Sequence, residues 1–262
     1  MHALLQSIAH KKQLLGRLRP LSPAAVVELQ KEGDIELTYT SNALEGNPLT
    51  FQETAEVIGA GATINRKRLK PHLEALGHHD AVLWMRRQAT QPIPVTEAVI
   101  RELHRRIVAH SDPDIAGVYA PDRAPSGHTS DAEPLAAFPN PLSIPEMMGD
   151  LCRQLDRAEA TPMAAFDAHF RLTAISPFRD ANGRAARLLM NLLLVRNGYV
   201  PVSVRPEDRK LYLDALAHAS LTNDLGPFQT FMHRQLDGAL DEYIDGLRDL
   251  LPGGDDCQGS PS

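Results

Sequence analysis

The residues able to do chemistry gather in one short stretch, ISPFRDANGRAAR over 175–187. Pro177 disfavours helical geometry at Ser176, so the helix before it should end there. Asp180, Ala181, Asn182 and Gly183 make a tight-turn composition, since Asn and Gly tolerate positive φ. The following ARLLMNLLLV is apolar almost all round, which predicts a helix that starts near Asn182 and is buried in the middle of the domain. A loop joining two buried helices offers free backbone N–H groups at a helix N-terminus, and these attract anions, phosphates especially. Arg184 and Arg187 lie three apart and share a face. Cations in the first turns oppose the helix macrodipole, so two of them imply something negative nearby. Asp180 beside such a site is suited to hold a Mg²⁺ that bridges phosphates. The plainer alternative is a helix–loop–helix corner whose arginines pair with surface carboxylates.

The elements that must position this loop read as helices. Apolar residues recur at three- and four-residue spacing over 95–108, 144–155, 163–175, 185–195, 209–219 and 228–250. Aromatic residues make up only 5% and two-residue alternation is rare, so the fold class is all-α with at most one short hairpin. Thr50-Phe51-Gln52-Glu53 is a capping box that should open a helix. Pro92 and Pro94 precede a helix opening near Thr96, and Gly198 stands at a C′ position. From about Asp112 to Pro145 the chain carries seven prolines with Gly117 and Gly127, a stretch that is either functional or disordered. The organisation expected is N-terminal helices over 1–93, a core over 94–252 and a disordered tail over 253–262, in one compact unit.

Composition narrows the function classes. The 262 residues carry 27 basic and 33 acidic side chains, a formal charge of −6, which argues against a nucleic-acid binder. An apolar share of 43% suffices for a core. Cys152 and Cys257 cannot build a disulfide framework, and with no metal-type Cys/His cluster a reducing interior is expected. No apolar run approaches membrane-spanning length and MHALLQSIAHKKQ lacks a signal-peptide core, so a cytoplasmic protein is expected.

The 176–187 segment resembles the signature of the Fic (Fido) family, H-x-F-x-[D/E]-G-N-G-R-x-x-R. Phe178, Asp180, Asn182, Gly183, Arg184 and Arg187 match; Ser176 stands for the family's histidine and Ala181 for its first glycine. The flanking runs Ala168–Leu172 and Leu188–Tyr199 are similar to the family's helices. A second match lies upstream, where Ser41-Asn42-Ala43-Leu44-Glu45-Gly46 resembles the family's inhibitory motif, [S/T]-x-x-x-E-[G/N]. The likeness covers about Asp34 to Leu236. It implies a helical Fic fold with an N-terminal inhibitory helix and a flap able to form a short β-hairpin. It also implies transfer of AMP from ATP to a hydroxyl of a target protein. Carried over, Ser176, Asn182 and Arg184 occupy catalytic positions, and Asp180 would hold Mg²⁺. Asn182 with the 181–184 backbone, Gly183 included, would cradle the α- and β-phosphates, Arg184 would support them, and Arg187 would meet the γ-phosphate. Glu45, placed by Gly46 on the last turn of its helix, would pair with Arg187 and act as a brake.

The two departures shape the expectation. A serine cannot take a proton from an attacking hydroxyl, and loss of a general base lowers a rate by roughly 10²–10⁴ while positioning survives. Ala181 is a small change provided its φ is negative. His169, two turns before Ser176, reads as a core or supporting histidine, His128 as a solvated histidine of the proline-rich stretch, and His78, His79 and His104 as surface or packing residues. Where the family often has Gly-x-Tyr-Arg, this chain has Gly117-Val118-Tyr119-Ala120, with Arg123 a candidate replacement. The reading is an AMP-transferase-type protein with a degenerate, slow or repurposed site. Its rivals are a non-catalytic nucleotide- or partner-binding module and a hydrolase that removes AMP with Glu45 orienting water. The oligomeric state is open, a homodimer being the commonest assembly.

Overall fold

The apolar run after Gly183 becomes the innermost element of the fold. In a computed structural model that describes residues 1–18, 23–60, 67–121 and 139–250, this helix is Asn182–Arg196, the eighth of the α-helices among those residues. Before it come α1 (His2–Leu18), α2 (Pro23–Leu44), α3 (Phe51–Ala60), α4 (Leu69–Ala89), α5 (Glu97–Val108), α6 (Ile144–Arg157) and α7 (Pro162–Ile175). After α8 come α9 (Arg209–Thr222) and α10 (Gly226–Leu250). Among the described residues the one extended pairing is an antiparallel bridge between Tyr119 and Phe178. The middle of the proline-rich stretch, residues 122–138 with Arg123 and His128, lies outside the described residues, as do the expected hairpin, the tail and Cys257.

α8 is buried nearly all round because its two sides serve two cores. Leu188, Leu189 and Leu192 pack with Val82 and Met85 of α4, Ile100 and Leu103 of α5, Met148 of α6 and Leu172 of α7. Met190 and Leu194 face the other way, onto Ile8 of α1, Phe166 of α7, Tyr212 of α9 and Phe228, Met232 and Leu236 of α10. The N-terminal helices enter the same interior: Leu37 of α2 joins the first cluster, and Ile8 and Leu15 of α1 the second. α4 and α5 cross so closely that a Cβ on Gly77 would lie 2.5 Å from the carbonyl oxygen of Ile107, which is why that position is glycine.

Helix ends fall where local chemistry puts them. The Thr50 N–H donates to Glu53 Oε2 at 2.8 Å and the Glu53 N–H to Thr50 Oγ1 at 3.2 Å, the reciprocal pair of a capping box at the start of α3. α8 stops at a Schellman turn in which Gly198, at φ +78°, donates to the Val195 carbonyl and Tyr199 to that of Leu194. α5, α6, α7 and α9 open within a residue or two of the expected positions.

Candidate functional site

The loop between α7 and α8 is held by its own side chains. The Phe178 N–H donates to Asn182 Oδ1 at 2.9 Å, and Asn182 Nδ2 donates back to the Phe178 carbonyl at 2.8 Å. The Asn182 side chain thus closes the turn, and its amide is spent on the loop's own backbone. Ser176 caps α7 at φ 48°, ψ 59°, and Ala181 precedes α8 at φ 60°, ψ 18°. The condition on which alanine would be a small change here, a negative φ, is therefore not met. An L-residue with a Cβ in this left-handed well costs about 1–2 kcal/mol, a penalty that glycine avoids. Asp180 Oδ1 accepts the Ala181 N–H at 2.6 Å, while Oδ2 lies 3.6 Å from Arg184 Nη2, in a carboxylate about one third exposed.

His104 braces this loop from α5. Its Nδ1 accepts the Gly117 N–H at 3.0 Å, so Nε2 carries the proton and donates to the Asp180 carbonyl at 3.1 Å. The ring stacks on Phe178 with centroids 3.8 Å apart, and burial pushes its pKa down to about 4. Of the two readings, surface or packing, His104 takes the second: it is fully buried and stitches the segment around Gly117 to the motif loop. The signal was in the sequence, since position 104 shares a helical face with Ile100, Leu103, Ile107 and Val108. His78 is buried too, with neither ring nitrogen partnered among the described residues. Burial first, and then the nearby Arg184 and Arg187, keep it neutral.

The two motif arginines, both buried, reach from α8 to the end of α2. Arg187 Nη2 donates to Glu45 Oε1 at 2.6 Å and to the Ser41 carbonyl at 3.0 Å, and Nε donates to Ser41 Oγ at 2.9 Å. Burial disfavours the charge of Arg187, but the adjacent Glu45 carboxylate and Tyr212 reverse this and raise its pKa. Arg184 Nη1 donates to Asn42 Oδ1 at 3.2 Å, and Asn42 Nδ2 donates to the Thr38 carbonyl, which fixes the amide with its oxygen toward the guanidinium. Arg184 Nε has no partner among the described residues.

α2 ends where Gly46 turns the chain at φ +85°, with its N–H on the Ala43 carbonyl and that of Asn47 on the Asn42 carbonyl. Glu45 is therefore the residue just past the last turn. Arg209 of α9 donates to the Leu44 carbonyl at 3.0 Å, a cation suited to a helix C-terminus. Asn47 holds the exit against α4 through the Pro71 carbonyl and Glu74. A Cβ on Gly183 would meet Glu45 Oε1 at 2.6 Å, so the carboxylate stands directly over the first turn of α8, where backbone N–H groups attract negative charge.

Glu45, Asp180, Asn182, Gly183, Arg184 and Arg187 are thus brought together, with Ser176 and Ala181 on the loop beside them. His169 lies in the interior one hydrogen bond from Tyr212, as a core histidine. Asn42, His104 and Tyr212 were not legible as parts of the site.

These features place the chain in a known class. Residues 94–194 match the sequence model of the Fic/DOC family. The protein adenylyltransferase Fic of Drosophila persimilis is 31% identical over 252 residues, covering 94% of this chain and 47% of that protein. Its counterpart in Drosophila melanogaster is 30% identical over 251 residues, covering 94% and 49%. Among solved structures, the Fic-1 fragment 134–508 of C. elegans superimposes with TM-score 0.81 at 26% identity, covering 94% of this chain and 71% of its own. A Fic domain containing signaling protein of Bacteroides thetaiotaomicron gives 0.81 at 28%, covering 93% and 98%. Residues 94–194 thus form a domain of the Fic/DOC family, and the chain has the all-α fold of the Fic structures it superimposes on. It spans about half the length of the Drosophila proteins it matches.

Proposed function

We propose that this protein binds ATP at the N-terminus of α8 and is an AMP-transferase-type enzyme. In the reaction a hydroxyl of a target protein attacks the α-phosphorus, a new P–O bond forms, and the bond to the departing pyrophosphate breaks. The proton of the hydroxyl needs an acceptor, and Ser176 cannot serve as one. The chain's own contribution is therefore positioning and charge: N–H groups at the start of α8, the donors of Arg184 and Arg187, and a loop braced by Asn182 and His104.

The observation that carries this reading is the Glu45–Arg187 pair. A carboxylate already occupies the anion-attracting end of α8 and takes a buried guanidinium at 2.6 Å. A terminal phosphate would want the same donor and the same space above Gly183, so Glu45 and nucleotide compete, and Glu45 acts as a brake. The orphaned, buried Nε of Arg184 fits a site short of one acceptor.

Mg²⁺ fits as a substrate-borne ion. Among the described residues no group of three or more His, Cys, Asp or Glu side chains could hold a metal, and Asp180 offers one partly exposed carboxylate. Mg²⁺ is commonly held by one carboxylate plus phosphate oxygens, where it neutralises developing negative charge. Asp180 would hold it.

The missing acceptor at 176 favours a second reading, a module that binds nucleotide without turning it over. Calorimetry with ATP and Mg²⁺, alongside incubation with α-labelled ATP, separates the two. We expect Glu45→Gly to bind ATP more tightly than wild type and to transfer label slowly, with Ser176→His raising transfer. Binding with no label in any variant would leave the binding module. Absence of ATP binding in both wild type and Glu45→Gly would end the nucleotide reading altogether. Among the described residues no helix is long and apolar enough to cross a membrane. A cytoplasmic setting belongs to the same proposal and is supported by the cysteine usage.

A further inference from the structure

Arg187 is held from two sides. On one side stand Ser41, on the last turn of α2, and Glu45, just past it, so any withdrawal of α2 removes both contacts together. On the other side stands Tyr212 of α9, whose hydroxyl lies 3.5 Å from Arg187 Nη1. A guanidinium has only donors, so at this contact the tyrosine oxygen accepts. Its single proton is then free to go elsewhere, and His169 Nε2, at 2.9 Å, is placed to accept it. With that bond donated by Tyr212, His169 is neutral and carries its own proton on Nδ1, an atom with no hydrogen-bond partner among the described residues.

The surroundings enforce that state. The His169 ring is wholly buried and stacks on Phe228, with centroids 5.3 Å apart and planes at 19°. Burial first, and the charge of Arg187 second, push its pKa down to about 3. Tyr212 is buried as well, and that burial holds its phenol in the neutral form.

We propose that Tyr212, oriented by His169, is a positioning residue that keeps the Arg187 guanidinium aimed at the start of α8 when Glu45 departs. The inference rests on the nucleotide reading above, in which Arg187 meets the terminal phosphate. A side chain already fixed loses less entropy when its anion arrives, so the effect falls on ligands that carry that phosphate.

The test uses the full chain with Glu45→Gly as background and compares ATP with AMP by calorimetry in Mg²⁺. Tyr212→Phe is expected to weaken ATP binding about tenfold, the size of one lost hydrogen bond to a charged group, while AMP binding stays within about twofold. His169→Leu should behave like Tyr212→Phe. His169→Gln, which restores an acceptor, should recover most of the loss. Equal weakening of ATP and AMP would mean a merely structural role and overturn the proposal. So would unchanged ATP binding in Tyr212→Phe where Arg187→Ala still weakens it. Failure of Glu45→Gly to bind ATP, or indifference of ATP to Arg187→Ala, removes the phosphate role of Arg187 and this inference with it.

Discussion

Two turns meet over the first residues of α8, and they are built differently. The turn that ends α2 uses Gly46 at positive φ, a matched pair of Schellman hydrogen bonds, and a cation from α9 on its last carbonyl. Every residue there suits the backbone it has. The turn that ends α7 and begins α8 places Ser176 and Ala181 in the left-handed region, which side-chain-bearing residues disfavour. Both misfits coincide with the two positions at which the sequence departs from the family pattern. The half of the site with Arg184 and Arg187, which in the proposed reading grips an anion and here holds Glu45, is thus well supported, while the half that in the same reading would move a proton carries both departures. In the proposed function, recognition and turnover are therefore separable.

That contrast can be sharpened most by restoring the altered half. Ser176→His in the Glu45→Gly background should raise transfer of α-labelled AMP by roughly 10²–10⁴ relative to Glu45→Gly alone. A rise of less than about tenfold would show that more than the proton acceptor has been lost. Next in size is an effect shared by both halves, since each is braced by a buried neutral histidine. His104, at about 4, and His169, at about 3, both lie below the ordinary 6.5. Unfolded chains take up protons that these folded rings refuse, so stability is fully present above pH 6.5 and is lost as pH falls toward 4. The loss should approach roughly 1.4 kcal/mol per pH unit for each ring, read from urea midpoints between pH 7.5 and pH 5. A flat profile would contradict the neutral assignment.

Smaller effects test each half singly. Removing the brake with Glu45→Gly should tighten ATP binding by about 10- to 100-fold, as the loss of one competing charge-assisted hydrogen bond implies. An unchanged Kd would mean that Arg187 is not contested. Least in size, Ala181→Gly should stabilise the fold by about 1 kcal/mol in denaturant titrations, because it relieves the left-handed strain. Destabilisation by the same change would show that the buried methyl of Ala181 matters more than its φ.

How far the sequence could be read depended on what each helix buries. α5, α7, α8 and α10 bury apolar residues at helical spacing, and their extents could be drawn from that spacing alone. α4 resisted, because the face it buries carries His72, Gly77 and His78 among its alanines and valine, so no apolar stripe marks it. The motif residues were legible through their turn chemistry and through likeness to a family. Asn42, His104 and Tyr212 were not, since their roles consist of bonds to residues between 13 and 142 positions away along the chain. Nor could the conformation of Ala181 be read, because alanine itself gives no sign of positive φ.

The linear order of residues determined an all-helical chain, a turn between two interior helices, and two arginines one turn apart that needed a negative partner. Local periodicity and turn preferences act over a few residues, and so they can be read directly. Only the tertiary structure decided which carboxylate answers those arginines, that Asn182 spends its amide on the loop, and that Tyr212 and His169 hold Arg187 from behind. Those outcomes depend on how α2, α7 and α9 pack around α8, and burial there turns chance neighbours into obligatory partners, because an unpaired charge cannot remain in the interior without penalty.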